Sequence, residues 1–263
     1  MAAGRPLLGL LGLLLTAGAL LLMFLTLLGG ANNHRPLNEI YFLQAHTANI
    51  PGAPTESRWT FWSICSVNVR GHNVCGTSHP AFPLDPPSHR NFNTQTNIPR
   101  SFIGTNHFFL MTRFMFAFII IALFFAVLSL FLGLLALCTR IGSFLSAFMG
   151  LIALTFQTIT TALMTANPSI SAAYVQGRDH FNGNGQRSHL GVKAFAFMWT
   201  ATVCLFLASL LYCIGGTIRK DKGYTGRKQR RRGFFGPRRS GSTREYADGH
   251  DYADGAGRKE TTV

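Results

Sequence analysis

The chain has 263 residues, 48% of them hydrophobic and 13% charged, and a formal net charge of +14 at pH 7. Half of that charge lies in residues 219–263, which contain 13 Lys and Arg against 6 Asp and Glu. An apolar chain with such a basic segment favours a membrane protein that contacts acidic lipids, and we expect no nucleic-acid partner. No nucleophile–base pair, metal-ligand cluster or phosphate-binding glycine loop stands out in the sequence, so we expect neither an enzyme nor a metal or cofactor site.

Four apolar segments are long enough to cross a bilayer as helices, since a hydrocarbon core of about 30 Å needs roughly 20 residues. The predicted spans run from Leu7 to Leu28, Phe114 to Cys138, Ile141 to Ala166 and Val192 to Ile214. The first could be a cleavable signal peptide, but it exceeds the usual apolar run of roughly 7 to 15 residues, so we interpret it as a retained span. The predicted fold class is an all-α membrane protein, a four-transmembrane-helix bundle.

The distribution of basic residues predicts that both termini face the cytoplasm. The predicted regions are a cytoplasmic N-terminus at 1–6, a membrane domain at 7–218 and a basic, disordered cytoplasmic tail at 219–263. Within the membrane domain, residues 29–113 and 167–191 form two outer loops. Arg140 lies in the short inner connection between the second and third spans, which must therefore form an antiparallel hairpin.

The first outer loop is rich in prolines and aromatic residues, which predicts short strands and turns rather than a long helix. Cys65 and Cys75 lie ten positions apart, a separation that a two-stranded hairpin can bring within disulfide distance. Two free thiols are the alternative. Trp59 and Trp62 precede the first cysteine, and either pack the loop onto the helix ends or contact a partner.

The third span carries small residues at every fourth position, Gly142, Ser146 and Gly150, which is typical of close helix packing. Gln157 and neighbouring threonines make its outer half more polar. They could line a permeation path, but the spans contain no Asp, Glu or Lys in their interior, so we favour hydrogen bonds between helices over a channel or transporter. Cys138 and Cys213, near the inner ends of spans, are either palmitoylation sites or structural thiols.

The tail contains a dense basic cluster, which predicts attachment to anionic lipids or phosphoinositides at about 1 kcal/mol for each basic residue near the leaflet. The predicted lipid-binding residues are Arg227, Lys228, Arg230, Arg231 and Arg232. A topology signal without a specific lipid is the alternative. Phosphorylation of Ser240, Ser242 or Thr243 would weaken the attachment, because it adds negative charge.

Several motifs, in order around the four spans, resemble the Sur/PalI family of fungal plasma-membrane proteins. They are Trp59-x-x-Trp-x-x-Cys with Cys75, Pro80-Ala-Phe-Pro-Leu-Asp-Pro-Pro87, Arg113-Phe-Met-Phe-Ala-Phe118 and Gly191-Val-Lys-Ala-Phe-Ala-Phe197. The four-span plan and the tryptophans before two cysteines also give a looser likeness to animal claudins, which implies a claudin-like, β-containing outer loop.

The resemblance implies a multi-pass resident of eisosome-associated plasma-membrane domains. The expected function is structural, with roles in membrane organisation, endocytosis and cell-wall integrity. Lateral self-association, or association with other membrane-domain proteins, is expected with it. Some members of the broader family act in ambient-pH signalling, which is the first alternative function.

Overall fold

The computed structural model describes residues 4–85, 90–165 and 173–217. Four of its helices are long and apolar enough to cross a membrane. They are α1 (Gly4–Leu28), α2 (His107–Ala136), α3 (Arg140–Met164) and α5 (Val192–Thr217), and a shorter α4 spans Ala173–Gly183. The predicted four-helix membrane fold with a small sheet in its loop region is confirmed.

The helix ends lie within three residues of the predicted ones, except at the start of the second span. There α2 begins at His107 rather than at Phe114, so the first outer loop ends at residue 106 and not at 113. The added turns contain polar residues that hydropathy does not recognise as part of a span. One of them, Arg113, holds its guanidinium 4.3 Å from the ring centroid of Phe109, one turn earlier on the same helix. The predicted end of the third span at Ala166 lies outside the described residues.

The long helices pack in the cyclic order α1, α2, α3, α5. The turn between α2 and α3 is as short as predicted, and the Thr139 hydroxyl caps α3 by accepting a hydrogen bond from the Gly142 amide at 3.1 Å. Large apolar side chains on the outer faces of the bundle are exposed, as lipid contact requires. α1 ends just before Gly30, which takes the left-handed φ of +79°.

Five short strands form one antiparallel sheet in the order β4-β3-β2-β1-β5. They are β1 (Leu43–His46), β2 (Glu56–Trp59), β3 (Ile64–Val67), β4 (Asn73–Cys75) and β5 (Ser188–Leu190). The last strand comes from the second outer loop and pairs with β1, with Leu190 opposite Leu43. The sheet therefore joins the two loops into one unit at a single end of the bundle, called here the cap (residues 29–106 and 173–191, as far as described).

Aromatic side chains fill the core of the cap. Trp59 of β2 lies 5.3 Å from the ring of Phe181 of α4, and Phe181 lies 5.2 Å from Phe102. α4 lies close to the sheet at Gly177, where a Cβ would already touch Leu84 at 3.3 Å and Leu43 of β1 at 3.5 Å. The short helix α4 thus covers one face of the sheet and buries its aromatic residues.

Candidate functional site: the cap and its attachment to the bundle

The predicted disulfide is confirmed. Cys65 of β3 and Cys75 of β4 stand directly opposite each other in the sheet, with their Cα atoms 4.1 Å apart and their sulfurs bonded. Cys65 is fully buried. The bond therefore fastens the edge strand β4 to its neighbour β3, because backbone pairing over only three residues would be weak by itself.

The two tryptophans of the loop motif have different surroundings. Trp59 is 1% exposed and lies in the core of the cap, edge-on to Phe92 at 6.1 Å. Trp62 is half-buried, and its indole N–H donates a hydrogen bond of 2.6 Å to the carbonyl of Leu27 at the end of α1. Its ring also lies edge-on to Phe116 of α2 at 5.8 Å. These contacts are the ones expected if the tryptophans pack the loop onto the helix ends. Trp62 thereby attaches the cap to two spans, α1 and α2.

Arg58 directly precedes the first tryptophan of the motif, and its side chain links three strands. Its Nε donates to Gln44 of β1, and one terminal nitrogen donates both to the Gly71 carbonyl and to Asn73 of β4, all at 2.8 Å. Its guanidinium also lies 4.2 Å from the centroid of the Tyr41 ring. Burial lowers the pKa of Arg58. Sequence analysis missed this residue, although a charged residue between buried strand positions is a usable signal.

Asp85 is a second buried charged group that sequence analysis missed. It is 0% exposed, and its Oδ2 lies 3.0 Å from a terminal nitrogen of Arg90. Its Oδ1 is buried and has no hydrogen-bond partner among the described residues. Burial raises the pKa of Asp85 from 3.8 to about 6, because desolvation of the carboxylate outweighs the nearby positive charge. Asp85 is the acidic residue of the Pro80–Pro87 motif, but the motif does not show that this residue is buried.

The Arg90 side chain connects this acid to a membrane span. It lies 3.9 Å from the ring centroid of Phe109 in α2, and its other terminal nitrogen donates to Asn106 at 3.2 Å. Asn106 is the residue that precedes the first turn of α2. A change in the charge of Asp85 would therefore act directly on the residues where α2 leaves the cap.

The small residues of α3 all face inward. The Ser146 hydroxyl donates to the carbonyl of Ser129 in α2 at 2.8 Å, and a Cβ on Gly150 would lie 2.8 Å from the hydroxyl of Ser209 in α5. Gly142 is buried against the backbone of Leu135, where α2 ends. The stripe is occupied by contacts within the bundle, so it does not offer a free surface for a second copy.

The polar outer half of α3 makes the contacts between helices that were favoured over a permeation path. The Gln157 amide nitrogen lies 3.4 Å from the carbonyl of Met198 in α5, and the hydroxyls of Thr161 and Thr202 are 3.2 Å apart. These bonds join α3 to α5 in the half of the bundle nearest the cap.

Comparison with known proteins places the chain. The sequence model of the SUR7/PalI family matches residues 8–211. The chain belongs to the SUR7/PalI family. It is 33% identical to Protein SUR7 of Candida albicans over 83% of this chain and 78% of that protein. It is also 33% identical to Protein SUR7 of Saccharomyces cerevisiae over 79% of this chain and 66% of that protein, and 31% identical to the SUR7 family protein FMP45 of the same yeast over 76% and 63%.

The match to the SUR7/PalI family ends before the basic tail. The tail residues with predicted roles, Arg227, Lys228, Arg230, Arg231, Arg232, Ser240, Ser242 and Thr243, lie outside the described residues. Cys138 is exposed and Cys213 is half-buried, which leaves both of their alternatives open. Within the described ranges, no group of three or more His, Cys, Asp or Glu side chains could hold a metal ion.

Proposed function

We propose that this SUR7/PalI protein is a structural organiser of eisosome-type domains in the plasma membrane, and that it supports membrane organisation, endocytosis and cell-wall integrity. The observation that carries the proposal is the contrast between its two parts. The spans pack through small and hydroxyl side chains, and the Lys and Arg of the described long helices all lie near helix ends. The cap, by comparison, is braced by a disulfide and by Arg58. Such a molecule is suited to a scaffold more than to transport.

Redox chemistry supports the proposed orientation. Disulfides persist in oxidising compartments, so Cys65–Cys75 supports a cap outside the cell and both termini in the cytoplasm. A Saccharomyces cerevisiae relative, 28% identical, is named a plasma membrane protein, which supports that location. The tail then faces the anionic inner leaflet. Because the α3 stripe is used within the bundle, lateral association would use the cap or the lipid-facing side chains.

Live-cell imaging of the tagged protein tests this function. One variant replaces Arg227, Lys228, Arg230, Arg231 and Arg232 by Gln. A matched control replaces Arg227, Arg230, Arg231 and Arg232 by Lys, which keeps the positive charge of the cluster. We expect stable patches with slow recovery after bleaching for the unmodified protein and the control, and poorly defined patches for the cluster variant. Uniform, rapidly recovering fluorescence of the unmodified protein would contradict the organiser function, and unchanged patches in the cluster variant would reduce the cluster to a topology signal.

Ambient-pH sensing is the second candidate, and Asp85 favours it. A buried carboxyl whose pKa is about 6 changes charge within the range of external pH, and its partner Arg90 contacts the start of α2. If this function is right, Asp85→Asn abolishes the cellular response to alkaline pH while the membrane patches persist. Loss of patches with an intact alkaline response would instead assign Asp85 to the scaffold.

A further inference from the structure

A cavity of about 400 Å³ opens where the sheet meets the first turn of α5. Its volume suits a small ligand group. Its lining includes Glu39, Tyr41, Arg58, His72, Gly191 and Lys193. This cavity is separate from the disulfide and from the Asp85–Arg90 pair, and the proposed function does not use it.

The lining has an excess of positive charge. Arg58 and Lys193 are cations, and Glu39 is the acidic group opposite them. Glu39 lies 2.6 Å from the Lys193 ammonium and 3.4 Å from Arg35, and the His72 ring is 3.9 Å away. One carboxylate is therefore shared among several basic groups. Since Lys193 is 60% exposed, its ammonium can turn towards a bound anion while Arg35 continues to neutralise Glu39.

Arg58 supplies a buried charge without an ion pair. Its residue exposure is only 8%, and the bonds described above use Nε and one terminal nitrogen. The other terminal nitrogen has no hydrogen-bond partner among the described residues, and none of the bonds of Arg58 there goes to a carboxylate. Glu56, which accepts a hydrogen bond from Gln44, attracts the guanidinium electrostatically, but no anionic partner among the described residues bonds to it directly. The cavity is where such a partner would fit.

The start of α5 adds backbone donors at the same place. The first intrahelical bond runs from the amide of Phe195 to the carbonyl of Gly191 at 3.2 Å, so the amides of residues 192–194 have no partner within the helix. A helix N-terminus favours anions through these amides and through its dipole. Gly191 brings the chain close to the sheet, because a Cβ there would collide with the Tyr41 carbonyl.

We propose that this cavity binds a phosphate group, held by the free terminal nitrogen of Arg58, the Lys193 ammonium and the first amides of α5. A phosphate matches this set because its several oxygens can accept from a guanidinium, an ammonium and backbone amides together. The cavity lies at the first residues of α5, where this span meets the cap. The phosphate therefore comes either from the headgroup of a membrane lipid or from a soluble phosphate compound.

Titration calorimetry of the full chain in maltoside micelles, which contain no phosphate, tests the site. The probes are inorganic phosphate, dihexanoyl phosphatidic acid and dihexanoylglycerol. We expect saturable binding of at least one phosphate probe and none of dihexanoylglycerol. Phosphatidic acid bound at least tenfold more tightly than inorganic phosphate identifies a lipid headgroup, and equal affinities identify a soluble phosphate. The absence of saturable binding to both phosphates overturns the proposal.

Two variants with opposite expected effects on affinity distinguish loss of the binding site from misfolding of the protein. Lys193→Gln should weaken binding about tenfold, since it removes a charged hydrogen bond. Glu39→Gln should strengthen binding about threefold, because it removes the competing carboxylate and releases Lys193. Arg178→Gln on α4 is the control, as its charge is paired with Asp179 at 2.7 Å, and should leave the affinity unchanged. Weaker binding in Glu39→Gln, or equal losses in Lys193→Gln and Arg178→Gln, would overturn the assignment.

Discussion

Replacing Asp85 by Asn should change how the stability of the cap depends on pH. The pKa of this buried carboxyl is raised from 3.8 to about 6 on folding. Between these values the folded protein holds a proton that the unfolded chain has released, so the free energy of unfolding falls as pH rises. The stabilisation is complete below 3.8 and is lost as pH rises through about 6. The difference between the two pKa values corresponds to about 3 kcal/mol.

Asn has the shape of the protonated acid and does not titrate. The Asp85→Asn variant and the original protein should therefore be equally stable near pH 4, and the variant should be more stable by up to about 3 kcal/mol near pH 7.5. Guanidinium titration followed by tryptophan fluorescence measures this. A Trp199→Phe background removes the lipid-facing tryptophan, which is 48% exposed, so that Trp59 and Trp62 report on the cap.

The opposite slope would refute the reasoning. If the original protein gains stability relative to Asp85→Asn between pH 4 and 6, the attraction of Arg90 outweighs the cost of burying the carboxylate, and the pKa of Asp85 is lowered. Equal stability of the two proteins at both pH values would mean that the carboxyl is hydrated in the folded protein.

Three further predictions concern packing. Replacing Cys65 and Cys75 together by Ala should lower the free energy of unfolding of the cap by about 2–3 kcal/mol, measured by the same titration, because the denatured chain loses a closed loop. Gly150→Leu should reduce the monodisperse fraction in size-exclusion chromatography, since a Cβ alone would lie 2.8 Å from a hydroxyl of α5, whereas Thr158→Leu on the exposed side of α3 should not. Trp62→Phe should cost about 1–2 kcal/mol in cap stability by removing its bond to α1, and an unchanged midpoint would show that water replaces it.

The spans and the disulfide were predictable because their signals are local. A run of about 20 apolar residues determines a span by itself, and two cysteines in an outer hairpin need only a ten-residue separation. The inward direction of the small residues at Gly142, Ser146 and Gly150 likewise follows from their spacing on one helix face.

The missed features depend on contacts between distant parts of the chain. β5 has three residues, Ser188–Leu190, too few to show alternation, and it is a strand only because β1 presents an unpaired edge. α4 contains glycines and polar residues and owes its helix to burial of Tyr174 and Phe181. Nothing in the sequence near Asp85 shows that it is buried, because its burial depends on the folding of the whole cap.

The pairing of β5 with β1 also sets an order of events during biosynthesis. β1 leaves the membrane with the first loop, but its edge partner is made more than a hundred residues later, after α2 and α3. Until then the backbone of Leu43–Ala45 has an open edge that other strands can capture. The disulfide hairpin of β3 and β4 can close early, while completion of the sheet waits for the second loop. A completed sheet therefore requires that α2 and α3 have been inserted and that the second loop has reached the same side of the membrane as the first.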